Sequence, residues 1–258
     1  MTQQPLRPTQ EPLYDLAVTY VQSAESLYLA IHDDIAARVR AAHPDAQHLE
    51  VSEDVAGDVE LHGIWSAPVP GLGTRRLLRA PDSTAAQEDG PLDLDELVDD
   101  LERVLVGPYL YQWGLAEPHP DHQHRDRRWI TLPPADRAAH IAGIVRRYVP
   151  DAVSLICLFE ASNGRVAVGF EQVIRADGET VTVPCPRCSP DTADSLWPHD
   201  VSHQLAAVLG QLYTLPHLRS RHLTPCVDLE SEHGEPLWLL PFPHPEPVPS
   251  LIPTPVAP

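Results

Sequence analysis

Ile35–Glu50 reads IAARVRAAHPDAQHLE, and Ile141–Ile156 reads IAGIVRRYVPDAVSLI. At a constant offset of 106 residues, eight positions coincide: Ile35/Ile141, Ala36/Ala142, Val39/Val145, Arg40/Arg146, Pro44/Pro150, Asp45/Asp151, Ala46/Ala152 and Leu49/Leu155. In each copy an apolar stripe at helical spacing runs into a proline, and a run with strand character follows. Self-similarity at a fixed offset marks repeated structural units. Matches further along extend it: Val59 meets Val166 after one inserted residue, and Leu101, Val104 and Leu105 meet Leu205, Val208 and Leu209 at an offset of 104. The reading is two tandem units that arose by duplication.

Working outward, the apolar positions Leu16, Tyr20, Ala24, Leu27, Ile31, Ile35, Val39 and Ala42 predict a helix over 13–42, ended by Pro44. Alternation predicts strands near Gln47–Glu53 and Asp58–Ser66, and Ala67–Gly90 reads as loop. Leu92, Leu94, Leu97, Val98, Leu101, Val104 and Leu105 form the next helical stripe. The tract EPHPDHQHRDRR from Glu117 is charged and His-rich and reads as a linker. Pro133 and Pro134 then suit the first turn of a helix running to about Val149, with Thr131 as its cap. Strands are predicted at Ser154–Glu160, Arg165–Arg175 and Glu179–Val183, joined by turns at Asn163-Gly164 and Asp177-Gly178. A helix over 198–213 follows, then a hairpin of Thr224–Glu230 and Pro236–Leu240 around His233-Gly234. The fold class is α+β: each unit is a helix, an antiparallel meander and a helix, with a terminal hairpin in the second. The organisation is a disordered 1–12, a first unit at 13–115, a linker at 116–130, a second unit at 131–242 and a disordered Pro-rich tail at 243–258.

The segments Ile141–Val149, Pro150-Asp151-Ala152, the strands around Asn163-Gly164 and the late CVDLESEHGEPLW hairpin together follow a known layout. Over roughly residues 134–242 it resembles the acidic YezG-like immunity proteins of bacterial contact-toxin systems. A similar order occurs in YbjN-type proteins related to secretion chaperones. The resemblance rests on element order, turn placement and acidity, and it assigns no individual residue a role. It implies a binder of another protein, a toxin or a secreted effector, rather than an enzyme. The chain departs from that layout in having two units, a CxxC and a Pro-rich tail.

The formal charge of -19 disfavours nucleic acid and anionic membrane surfaces as direct ligands, since both need clustered Lys or Arg. There is no lysine and a single Asn, which together with few Phe and Met matches the codon bias of a GC-rich genome. The opening residues lack an apolar run after a basic segment, so no secretory leader is expected. No stretch is long and apolar enough to span a bilayer. Four cysteines in 258 residues do not make a disulfide scaffold, and a cytoplasmic setting is expected.

Two clusters could carry function. Acids crowd Glu88–Glu102, on and before the helix that begins near Leu92. Those at the helix start favour its dipole, but Asp99, Asp100 and Glu102 gain nothing from it. Asp95, Glu96, Asp99, Asp100 and Glu102 therefore read as a face that captures a basic partner protein, with Tyr109, Tyr111 and Trp113 as apolar anchors. The second cluster is Cys185-x-x-Cys188 followed by His199-x-x-x-His203, close to the spacing of a Cys2His2 zinc site. It makes zinc the one candidate cofactor, and the alternative function a zinc-stabilised enzyme or regulatory domain. Against it, Pro184, Pro186 and Pro190 crowd the knuckle, and the first unit has Asp95 and Asp99 where the second has the histidines. His199-Asp200-x-x-His203 also approaches the metallopeptidase pattern H-E-x-x-H, but Asp is one methylene too short to hold the attacking water. The His119, His122 and His124 tract reads as linker. A nucleic-acid-mimicking inhibitor would need acids strung along an extended surface, whereas these are clustered. No G-x-S-x-G, Walker A or G-x-G-x-x-G occurs, so no catalytic residue is assigned.

Overall fold

The computed structural model describes residues 11–53, 58–68, 74–80, 92–105, 115–118, 126–162, 165–183, 196–230 and 236–244. The chain is α+β, with two antiparallel sheets. Helix α1 (Glu11–Ala42) leads into β1 (Ala46–Glu53), β2 (Val59–Pro68) and β3 (Arg75–Arg79). Then come α2 (Leu94–Leu105), β4 (Ala116–Pro118) and β5 (Arg127–Thr131). The second half runs α3 (Arg137–Val145), β6 (Ala152–Ser162), β7 (Arg165–Arg175), β8 (Thr180–Thr182), α4 (His199–Thr214), α5 (Pro216–His222), β9 (Thr224–Glu230) and β10 (Pro236–Pro241). The sheet orders are β3-β2-β1-β5-β4 and β8-β7-β6-β10-β9. Apart from α5, the same element order and the same strand order occur twice.

The matched positions of the sequence occupy matched places. Ile35 and Ile141, Val39 and Val145, Leu49 and Leu155, and Leu101 and Leu205 are all fully buried. The first member of each pair lies in the core of the first half and the second in that of the other. The polar matches agree too. Arg40 donates to the carbonyl of Pro133, two residues past β5 (2.7 Å). Arg146 donates to that of Pro243, two residues past β10 (2.9 Å). Likewise Leu132 N donates to Gln47 O and Phe242 N to Val153 O, both at 2.8 Å. In each half the last strand is therefore pinned beside the first strand and first helix.

The two halves pack through α1, α4 and α5. Leu215, between α4 and α5, is buried in the first core, and Leu218 touches both cores. Ser26 Oγ donates to Thr214 O (3.1 Å). At the centre lies Arg137, which holds Asp33 of α1 through two nitrogens and Gln211 of α4 through Nε (3.0 Å). This seam reorganises α1. Its buried stripe is Glu25, Leu29, His32, Ile35, Ala36 and Val39, whereas Tyr20 and Leu27, expected inside from their spacing, are exposed. The helix is pressed from two sides, and its polar positions at 25 and 32 are buried rather than exposed to water.

Three further expectations are corrected. Residues 67–90 are not all loop: Arg75–Arg79 pairs with β2 as an edge strand, which suits its charged sequence. The stretch 116–130 supplies β4 and β5 to the first sheet, so the hairpin expected only in the second half is present in both. Thr131 ends β5 and caps nothing. Asp136 is the N-cap of α3, its Oδ1 accepting from Ala139 N at 2.8 Å, and Pro133 and Pro134 precede the helix. Asp136→Ala is expected to cost about 1 kcal/mol, read as a lower denaturant midpoint with an unchanged slope. Elsewhere the turns follow the sequence, as at Gly178, whose φ of 86° suits glycine between β7 and β8. Of the segments expected to be disordered, 1–12 and 243–258, residues 1–10 and 245–258 lie outside the described residues, as do Asn163-Gly164 and His233-Gly234, whereas Glu11 and Pro12 open α1. Among the described residues no helix is long and apolar enough to cross a membrane.

Candidate partner-binding face

Helix α2 is amphipathic in the strict sense. Leu97, Leu101, Val104 and Leu105 are buried in the first core, which turns the acids outward. Asp93 starts the helix, its Oδ1 accepting from Asp95 N (3.0 Å) and Glu96 N (3.2 Å). The five acids expected to face a partner then divide. Asp100 is largely enclosed, with its side chain 13% exposed, between Arg38 of α1 and Arg103 (2.8 Å). Arg38 also pairs with Asp34 at 2.8 Å and Glu96 at 3.6 Å, so it braces α1 against α2. Glu102 Oε1 lies 3.5 Å from the first N–H of β2, at Val59. Asp95 and Asp99 are exposed and have no ion pair among the described residues. They sit one turn apart, with exposed Asp34 and Glu96 on the same α1–α2 surface. Tyr109, Tyr111 and Trp113, the expected anchors, lie outside the described residues.

Of the zinc candidates, His199 and His203 come together on the first two turns of α4, with their Nε2 atoms 3.0 Å apart. Cys185 and Cys188 lie outside the described residues, as does the His119–His124 tract. Among the described residues no group of three or more His, Cys, Asp or Glu is placed to hold a metal ion.

Sequence reasoning missed a polar and aromatic cluster on the face of the first sheet opposite α1 and α2. Glu50 is buried, accepting from Trp65 Nε1 (2.9 Å) and Arg127 (2.7 Å). Trp129 packs against Trp65 and His48, and the Arg75 guanidinium lies 4.4 Å over its ring. Gly63 makes room for this arrangement: a Cβ there would come within 2.9 Å of Trp65 Nε1 and 2.7 Å of Leu77 Cδ1. The signal was available in alternating His48, Glu50 and Ser52 opposite Gly63 and Trp65, which a one-sided reading of β1 discards. Burial, helped by the Arg75 charge, lowers the His48 pKa to about 4, so its imidazole is neutral near pH 7 and poorly matched to proton transfer there.

The remaining chemistry is also quiet. Burial pushes the Cys157 thiol well above its ordinary range, and Cys226 is raised by the same cause. A cleft of about 610 Å3 opens beside the start of β1 and the end of β2. Its charged groups already have partners: Arg40 donates to the Leu132 and Pro133 carbonyls, and Arg76 pairs with Asp45 at 3.2 Å. No family model, no curated protein and no solved structure matches this chain.

Proposed function

We propose that this protein is a non-enzymatic binding module, immunity-like or chaperone-like, which captures a basic partner protein on its acidic α1–α2 surface. The observation that carries the reading is the exposed Asp95 and Asp99, which have no ion pair among the described residues, on a helix whose opposite face is fixed in the core. Such carboxylates cost no internal ion pair when a partner engages them, and clustered charge steers encounter with a basic patch. Glu96 and Asp34 extend the surface, while Asp100 and Glu102 belong to the scaffold beneath it. The identical strand orders and the matched arginine straps support descent of the two halves from one duplicated unit. In that arrangement α2 and α4 are counterparts, and only α2 carries the acidic face.

The test is retention of a basic partner from the native host on immobilised protein, eluted with rising salt. One stoichiometric partner should leave as salt screens the contact. The variant Asp95→Lys/Asp99→Lys should lose at least tenfold in affinity while keeping its melting temperature. Unchanged affinity in that variant would overturn the assignment of the face. Asp100→Lys is the wrong probe, because it would also unbrace α1 from α2.

A further inference from the structure

We propose that His199 and His203 form a two-nitrogen surface site for a late first-row divalent metal ion, with copper(II) as its best occupant. The two imidazoles are exposed at positions i and i+4 of α4, their ring centroids are 4.3 Å apart, and their Nε2 atoms are 3.0 Å apart. Metal–imidazole bonds are about 2.0–2.1 Å long. Two such bonds at a right angle place the nitrogens about 2.9 Å apart, and at a tetrahedral angle about 3.4 Å. The observed separation, that of a hydrogen bond, lies within a few tenths of an ångström of both, and copper(II) is favoured because it binds imidazole sites more tightly than the other divalent first-row ions. In the free protein one ring donates its Nε2 hydrogen to the other. Binding moves that hydrogen to Nδ1 of the same ring, so both Nε2 lone pairs converge on the metal and small rotations of the exposed rings complete the approach. Water fills the remaining positions.

The site also has a structural consequence. The N-cap of α4 is Pro198, which provides no side-chain hydrogen bond to the first turn. A chelate spanning residues 199 and 203 ties the first turn to the second. Trp197, buried just before the helix and donating to Ser202 Oγ at 2.9 Å, lies beside the site as a reporter.

The experiment uses the full chain with His119, His122 and His124 changed to glutamine and Cys185 and Cys188 changed to serine, so that neither the separate histidine tract nor the thiols can bind or reduce the copper. Copper(II) chloride is titrated by calorimetry and by intrinsic tryptophan fluorescence, with Trp197→Phe identifying that residue's share among the five tryptophans, and with electron paramagnetic resonance on the one-to-one complex. One copper should bind, quench the fluorescence, raise the melting temperature and give a tetragonal spectrum with two equatorial nitrogens. His203→Gln should weaken binding at least tenfold and abolish the thermal shift. His199→Gln should do the same, with metal-free melting unchanged in both. Equal copper affinity in either variant, or a spectrum without imidazole nitrogen coupling, would overturn the site. Tighter binding of zinc than of copper would overturn the choice of metal.

Discussion

Replacing Arg137 with methionine is expected to destabilise the protein by about 2–3 kcal/mol, the usual cost of removing a buried charged donor from a partly exposed carboxylate and a buried amide. Methionine keeps the length of an unbranched side chain, so the loss comes from charge and hydrogen bonding rather than from an empty cavity. Arg137 is only 6% exposed and is the first residue of α3. It reaches Asp33 at 2.5 and 3.1 Å and Gln211 Oε1 at 3.0 Å. Its removal leaves the Asp33 carboxylate and the buried Gln211 amide without their shared donor, in the seam where the two halves meet. Equilibrium unfolding in urea measures the effect. The double variant Asp33→Leu/Arg137→Met should recover most of the loss, because apolar replacement of a whole buried pair is often near neutral. A shift below about 1 kcal/mol for Arg137→Met would mean that apolar contacts around Leu215 hold the seam without this pair.

The second large effect is a loss of stability in acid that traces to one ring. His32 is completely buried, and burial lowers its pKa to about 4, with Arg137 and Arg40 adding in the same direction. The Thr131 carbonyl, 3.2 Å from Nε2, and the Asp33 charge oppose that shift without cancelling it. In the unfolded chain the same ring titrates near 6.5. Between these values the unfolded state binds a proton that the folded state refuses, so stability is complete above pH 6.5 and falls as pH drops toward 4. The slope from His32 is about 1.4 kcal/mol per pH unit, or about 3 kcal/mol over the whole window. His48 adds a second proton in the same range. His32→Gln isolates the first: its amide can still donate to Thr131 O, but it cannot protonate. Plotted against pH, the stability of this variant should fall with a slope one proton shallower than that of the parent. Parallel curves would show that His32 is already protonated in the folded protein.

The second half was more legible than the first, and particular residues show why. β6 and β7 are long, β10 is a short apolar run, and Asp177-Gly178 announces its turn, so pattern and propensity agree. β3 is RRLLR, whose charges suit an edge and imitate a loop. β5 is hidden inside a charged tract because Arg127 and Arg128 give it the composition of a linker, although Trp129 and Ile130 beside them are both buried. On α1 the spacing was right but the stripe was rotated, because the second half also packs against the helix, and Glu25 and His32 are buried while Tyr20 and Leu27 are exposed. Single-helix periodicity assumes one apolar neighbour. The acidic cluster was visible as composition. Its division into braced Asp100 and open Asp95 and Asp99 depends on Arg38, distant in sequence and brought close only by the α1–α2 packing.

The straps from Arg40 to Pro133 and from Arg146 to Pro243 tie the exit of each half to the end of its first helix and so fix where the chain leaves. A module tied in this manner can be strung in series like links of a chain, since the exit of one link need travel only a few residues to begin the next. The step from Leu132 to Arg137 is such a join, with Asp136 opening the second link as soon as the first has closed. Lengthening the protein by whole links is therefore compatible with the fold.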